Sequence, residues 1–383
     1  MWAVAIGVSR AAGWCEAERK AMWFDDPRLT YLKDIHRMTE GKFARFVYRA
    51  ATGDLKREGV VSGQITPRWN LAYKPDFPRG ARLYDVAKQK GWDPKRDVDW
   101  SRRIGRDQYA ISEEVFLGLH LDLKGLVDEE TLIRLSHEEL VWTMSQILHG
   151  EQGALMLASQ LINVHEDMDG KLFLASQAMD EARHIEAFTR YLDGSQIYNI
   201  DFGLKFVIDS FLSTDNWRKQ AIGMLVMVEG FALGTFAVMK ESCADPLLHD
   251  VLKLVMRDEG RHVGFGLDTI RSSLSELNEQ ERDEMEDYAF SLCRTVAFTQ
   301  NGGGGFKDLH RLYWQHLGPK IRRQISYAEL ASMMASHPLM QDFNQIVFSE
   351  NLLPNLNHLG LLTDRVRPRY EDLGLSVDQY FAA

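Results

Sequence analysis

The chain is poor in cysteine. Cys15, Cys243 and Cys293 are the three in 383 residues, far apart and with no CxxC pair. That spacing excludes a disulfide framework and an iron–sulfur cluster, and it predicts a reducing compartment. Positive charge is also short: 45 Lys+Arg against 55 Asp+Glu give a formal net charge of −10, which argues against nucleic acid or an anionic membrane as the main partner. No flavin fingerprint or glycine-rich dinucleotide motif in a βαβ context is present, so neither flavin, haem nor an iron–sulfur cluster is expected in this chain. The opening Met1-Trp2-Ala3-Val4-Ala5-Ile6-Gly7-Val8 is apolar but lacks a basic leader and is shorter than a membrane span. No other stretch reads as a transmembrane helix. The expectation is a cytoplasmic protein with no membrane partner.

What remains is a hydrophobic content of 45 % and a charged content of 26 %, the composition of a globular chain. Five of the ten prolines lie between Pro27 and Pro94, among turn-rich pieces such as Asp25-Asp26-Pro27 and Gly91-Trp92-Asp93-Pro94. Residues 1–110 are therefore read as a segment that wraps a core. From about residue 130 the apolar period becomes 3.6. The first amphipathic run, Leu132 to about His165, is taken to stop at Asp169-Gly170, and the second covers Lys171 to Leu192. A third follows Ser213-Thr214-Asp215 to about Ser242, and a fourth starts at the cap-and-proline pair Asp245-Pro246 and reaches about Arg271. Short links make each pair an antiparallel hairpin, and the long link from Asp193 to Thr214, helical over Leu204 to Phe211, returns along the bundle. The predicted fold is all-α: a ferritin-like four-helix core over 111–300, with a helical extension over 301–383. The Gly302-Gly303-Gly304-Gly305 tract in that extension is read as a linker.

Each core helix carries a glutamate where an apolar residue is expected. Glu151 sits among Ile147, Leu148, Ala154 and Leu155, and Glu229 among Leu225, Val226, Ala232 and Leu233; Glu181 and Glu259 are similarly flanked. Unpartnered ionised carboxylates in an apolar interior each cost several kcal/mol even after relaxation, so this pattern calls for cations. Two five-residue stretches supply the rest: Asp180-Glu181-Ala182-Arg183-His184 and Asp258-Glu259-Gly260-Arg261-His262. A Glu and a His three apart share one helix face and can reach one ion. Spacing makes the set coherent, since 181 − 151 and 259 − 229 are both 30, and 229 − 151, 259 − 181 and 262 − 184 are all 78. Mixed Glu/His ligation suits iron or manganese better than zinc.

The doubled Asp-Glu-x-Arg-His resembles the di-iron carboxylate oxygenases of the ferritin-like superfamily, especially the hydroxylase subunits of bacterial multicomponent monooxygenases and the acyl-carrier-protein desaturases. The resemblance spans about 130–272 and its motifs mark the superfamily rather than one member. It implies two iron ions, or manganese at one of the two positions. Glu151, Glu181 and His184 would serve one ion, and Glu229, Glu259 and His262 the other. Glu181 and Glu259 would be the bridging, catalytically shifting carboxylates. Asp180 and Asp258 would accept the distal N–H of the ligand histidines. Apart from the resemblance, Arg183 and Arg261 are read from the charge pattern as counter-charges helping to neutralise the four glutamates, and Gln177, one turn before Glu181, as a neighbour of the site.

The implied activity is an O₂-dependent monooxygenase that hydroxylates, N-oxygenates or desaturates a small organic substrate. A separate reductase or ferredoxin would supply electrons, and a homodimer is expected. Two other readings compete. One is a radical-generating protein like the ribonucleotide reductase small subunit, whose tyrosine position holds Phe188 here; the other is a ferroxidase. The threonine common in monooxygenase hydroxylases is Leu233 in this chain, with Thr235 nearby. Gly150, Gly153, Gly230, Gly234, Gly260, Gly264 and Gly266 surround the candidate ligands and signify either substrate space or close helix packing. His137 and His165 are read as solvated, and His149 as facing away from the site.

Overall fold

We describe a computed structural model over residues 61–380, except 62, 64, 72, 74–76, 122–126, 301–306 and 340–345. The apolar opening, Cys15, the Asp25-Asp26-Pro27 turn and the Gly302-Gly303-Gly304-Gly305 tract lie outside those residues. The described residues form one compact unit. Among the described residues the only β feature is an isolated bridge between Ile111 and Cys243.

Four long helices make the core: α3 (Glu129–Val164), α4 (Met168–Tyr191), α6 (Trp217–Ser242) and α7 (Pro246–Leu274). Before them come α1 (Pro78–Lys90) and the single turn α2 (Leu117–His120), and between the hairpins runs α5 (Phe202–Ser213). The termini of the core helices follow from local hydrogen bonding. Asp128 accepts from the Thr131 amide, Asp167 from Gly170, Asn216 from Arg218 and Lys219, and Asp245 from Leu247. Each occupies the N-cap and satisfies an amide that has no helical partner. Asp169-Gly170 therefore does not stop the first helix; it lies inside the first turn of α4, because Asp167 is the cap. Gly194, with φ at 79°, ends the α4 region in the left-handed conformation that favours glycine.

Two hairpins, α3/α4 and α6/α7, joined by the crossover through α5, give the ferritin-like arrangement. With a mean hydropathy of 1.9 over its most apolar window, α6 is long and apolar enough to cross a membrane, contrary to the sequence expectation. The bundle buries 67 % of that window. Its apolarity is that of a central helix covered on several sides. It is also not uniformly α-helical: Ile222–Val228 is a π segment, in which the Glu229 amide donates to the Met224 carbonyl five residues back. Such segments often lie at functional sites.

The described part of the N-terminal region contacts the core. α1 packs on α4 and α7, and residues 110–112 pair with the α6/α7 link through Ala244 N–H to the Ala110 carbonyl and Ser112 N–H to the Ser242 carbonyl, at 3.0 and 2.7 Å. After the core come α8 (Glu279–Gln300), α9 (Lys307–His316), α10 (Pro319–Arg322) and α11 (Tyr327–Ala335). Then come a π turn at Phe348–Leu352, α12 (Leu353–His358), α13 (Arg367–Glu371) and a 3₁₀ turn at Asp378–Tyr380.

The glycines divide into two kinds. A Cβ at Gly153 would meet Ile208 at 3.0 Å, at Gly234 would meet Asn351 at 2.7 Å, and at Gly266 would meet the Leu225 Cβ at 2.5 Å. These positions serve close packing, whereas a Cβ at Gly150 or Gly260 would meet nothing within 4 Å. Gly266→Ala is accordingly expected to destabilise the fold by about 1–3 kcal/mol, since Leu225 is held by its own helix and cannot retreat. Gly150→Ala should be neutral or stabilising by up to about 1 kcal/mol through helix propensity. Denaturant midpoints of the two variants check the contrast.

Candidate metal centre

The four glutamates and two histidines named above converge between the hairpins. Glu151, Glu181, His184 and Glu259 offer donor atoms all within 4.8 Å of one another, and so do Glu181, Glu229, Glu259 and His262. All six side chains are buried, with His184, His262 and Glu181 at 0 % exposure. Glu181 and Glu259 belong to both groups, as bridging carboxylates would.

Each histidine points Nδ1 inward. His184 Nδ1 lies 3.1 Å from Glu151, 3.4 Å from Glu181 and 3.0 Å from Glu259. His262 Nδ1 lies 3.2 Å from Glu181, 3.3 Å from Glu229 and 2.9 Å from Glu259. The outward Nε2 atoms show how the two motifs are joined. His184 Nε2 faces Asp258 at 3.4 Å and His262 Nε2 faces Asp180 at 3.3 Å. The aspartate of each stretch thus serves the histidine of the other. A carboxylate at Nε2 favours the tautomer protonated there and leaves the Nδ1 lone pair for an ion.

Both arginines pair with both aspartates. Arg183 lies 2.8 Å from Asp180 and 3.4 Å from Asp258, and Arg261 lies 2.9 Å from Asp180 and 2.8 Å from Asp258. Two charges of each sign cancel in this ring, so the arginines do not neutralise the glutamates. Gln177 donates from Nε2 to Glu229 at 2.8 Å and to Glu181 at 3.2 Å. Trp92, which the sequence places in a turn, donates its indole N–H to Asp258 at 2.7 Å and carries Arg183 over its ring. Sequence reading passed over this residue. The signal available was general: a buried indole N–H needs an acceptor.

The electrostatics show what the cavity requires. Burial raises the Glu151 carboxyl to about 8 and pushes Glu229 well above its ordinary range. For Glu259 burial acts the same way, but the facing imidazoles, His262 first, outweigh it and hold the group well below its range. Burial depresses the imidazoles, yet the surrounding carboxylates, Glu259 first, drive His184 and His262 well above their ordinary value. Burial likewise opposes ionisation of Asp180 and Asp258, but the hydrogen bonds and charges of the facing histidines and of Arg261 keep both low. Glutamates that share a dry space in this way must be balanced by protons or by cations. The donor set fits two metal ions: four carboxylates carry as many negative charges as two divalent ions neutralise, and the buried Glu181 Oε2 has no hydrogen-bond partner among the described residues.

Other named residues fall outside the cluster. His149 Nε2 contacts the Tyr198 carbonyl at 2.9 Å, and His137 Nε2 the Gln108 carbonyl at 2.9 Å. His165 is not solvated. It is 6 % exposed, ringed by Phe77, Trp217 and Phe265, because the turn between α3 and α4 folds inward under the N-terminal segment. Phe188 is fully buried against Phe236.

Above the glutamates opens a cavity of about 550 Å³, lined chiefly by apolar side chains such as Ile147, Val207, Met227, Phe231 and Phe236. Glu151, Glu181, Glu229 and Glu259 all reach its wall, as does Thr235, whose buried hydroxyl has no partner among the described residues. Leu233 is not on that wall.

No protein-family profile and no curated protein matches the chain. Among solved structures 45 chains match. One is an R2-like ligand-binding oxidase with aerobically reconstituted Mn/Fe cofactor, 19 % identical, TM-score 0.44, covering 71 % of this chain and 93 % of that one. A tyrosine-to-phenylalanine variant of such an oxidase, also Mn/Fe, is 19 % identical with TM-score 0.47, over 75 % and 94 % of the two chains. A glycine-to-leucine variant with Fe/Fe cofactor gives 19 %, 0.46, 75 % and 94 %.

Metal analysis of protein produced with iron is expected to give about two ions per chain, and Glu181→Ala or His262→Ala should lose at least one. Asp258→Asn leaves the ligands in place but removes the acceptor behind His184, and should weaken metal binding about ten- to a hundredfold. Uptake must displace protons held by Glu151, Glu229 and the two imidazoles, so it should release protons, and apparent affinity should climb as pH rises through about 8. Calorimetry in buffers of different ionisation enthalpy measures that release. The chain is a ferritin-like four-helix bundle whose interior holds a carboxylate–histidine centre with room for two metal ions.

Proposed function

We propose that the chain is a non-haem di-iron oxygenase, an oxidoreductase that uses O₂ to oxidise an organic molecule lying in the cavity. The observation that carries this reading is the shared wall: the four glutamates of the candidate centre line one end of an apolar chamber of about 550 Å³. A ferroxidase needs a path for iron, and an apolar chamber of this size is a poor one. A molecule held there would stand against the centre with little water around it.

Bound iron, or iron paired with manganese, would supply the redox chemistry that activates O₂ for substrate oxidation. The protein's own contribution is geometric and electrostatic. Asp180 and Asp258 hold protons on the Nε2 atoms and so aim both Nδ1 lone pairs. Glu181 and Glu259, within reach of both positions, can change which donor each presents, and the Gln177 amide steadies Glu229 and Glu181. Phe231, Phe236 and Met227 keep the chamber dry. In this reading electrons arrive from a separate donor protein, and Phe188, which offers no phenol at the radical position, disfavours a ribonucleotide-reductase-like role.

The test is to reduce the iron-loaded protein, mix it with O₂ and follow absorbance by stopped flow with candidate substrates present. A transient species whose decay a substrate accelerates is the expected outcome. Absence of any O₂-dependent species, or full activity in protein loaded with zinc alone, would remove the oxygenase reading.

A further inference from the structure

The wall of the cavity carries one more acid, partly buried. Along α3, Glu139, Thr143, Gln146, Ile147, Gly150 and Glu151 all line the chamber, as residues spaced three or four apart on one helix face must. Since 151 − 139 is 12, Glu139 stands roughly 18 Å along the axis from Glu151, at about 1.5 Å per residue. The chamber is therefore long, with the candidate metal centre near one end and a second carboxyl at the other.

Along α3 the polar side chains between these ends are already committed. Gln146 donates to the Asn199 carbonyl at 3.0 Å and accepts from the Asp201 amide at 2.6 Å, and the Thr143 hydroxyl donates to the Glu139 backbone carbonyl at 3.0 Å. Glu139 is different. Its Oε2 accepts from the hydroxyl of the fully buried Tyr313, while Oε1 has no hydrogen-bond partner and the side chain no cation among the described residues. Desolvation is strong enough to raise this carboxyl to about 7 even though the Tyr313 hydrogen bond opposes the rise. A desolvated acid with a donor on one oxygen and the chamber at the other is costly to ionise unless something completes it.

We propose that Glu139 is the head-group site of this chamber, taking the protonated amine of an elongated apolar substrate whose far end lies against the four glutamates. The fate of that far end rests on the oxygenase reading; the amine site does not. The separation also assigns the reacting atom: the amine is held about 18 Å of helix away from Glu151, so oxidation falls on the remote carbon chain and not on that nitrogen.

Decylamine and decanol, equal in chain and differing in head group, serve as probes for calorimetric titration of the metal-loaded full chain at about pH 8, where free amines remain protonated. Wild-type protein should bind decylamine at least about tenfold tighter than decanol, the factor expected for a hydrogen bond to a charged group. Glu139→Gln, which keeps shape and the Tyr313 contact, should bring that ratio close to one while metal content stays unchanged. Equal affinity of the two probes for wild-type protein would overturn the proposal without recourse to any variant, as would a ratio that survives Glu139→Gln. An iron-loaded protein that prefers decylamine but shows no O₂-dependent species with any substrate would refute the oxygenase reading and leave the amine site standing. O₂ chemistry with no amine preference would do the reverse.

Discussion

Four carboxylates in a water-excluded space set the terms for the rest of this structure. Each is buried, and burial together with the neighbouring carboxylates drives Glu229 towards the neutral acid, while the facing imidazoles keep Glu259 ionised. No packing of apolar groups can offset that repulsion; only positive charge within the cluster can. The surrounding architecture keeps the available arginines away from it. Arg183 and Arg261 are committed to Asp180 and Asp258, which leaves the glutamates to be balanced by whatever the centre binds.

The crossed aspartate–histidine contacts tie the two hairpins together at this point. Asp180 on α4 faces His262 on α7, and Asp258 on α7 faces His184 on α4. Neither half of the candidate centre is complete on its own hairpin, so the geometry of the candidate ligands depends on the packing of α4 against α7. The N-terminal segment reinforces that packing through Trp92 and Asp258. On the opposite side the π segment of α6 shifts the register of the helix just before Glu229. Beyond it α5, α8 and α9 enclose the chamber with Val207, Val296 and Leu309.

Much of this was legible in the residues. The four core helices stand within a few positions of their expected bounds, because their 3.6-residue period is long and their caps are strong: Asp245-Pro246 starts α7 where such a pair should. The one misplaced boundary, at Asp169-Gly170, arose from reading a glycine as a stop when Asp167 two residues earlier was already capping the next helix. His165 was misread because its exposure depends on a segment that folds over it from far away in sequence. The apolar character of α6 was underrated for the opposite reason, since a helix buried on several sides has a composition that length and hydropathy alone cannot tell from a membrane span.

Sequence alone determined the candidate ligand types, their helices and their pairing into two halves, because periodicity and the 30- and 78-residue spacings are properties of one dimension. Only the tertiary structure decided which aspartate meets which histidine, that the arginines close a ring with the aspartates, and that Trp92 reaches Asp258. It also decided that Gly150 faces open space while Gly266 is pressed against Leu225, and that Glu139 and Glu151 look into one chamber. These are contacts between segments remote in the chain. Their energies depend on distance and burial in three dimensions, which no local pattern of residue types encodes.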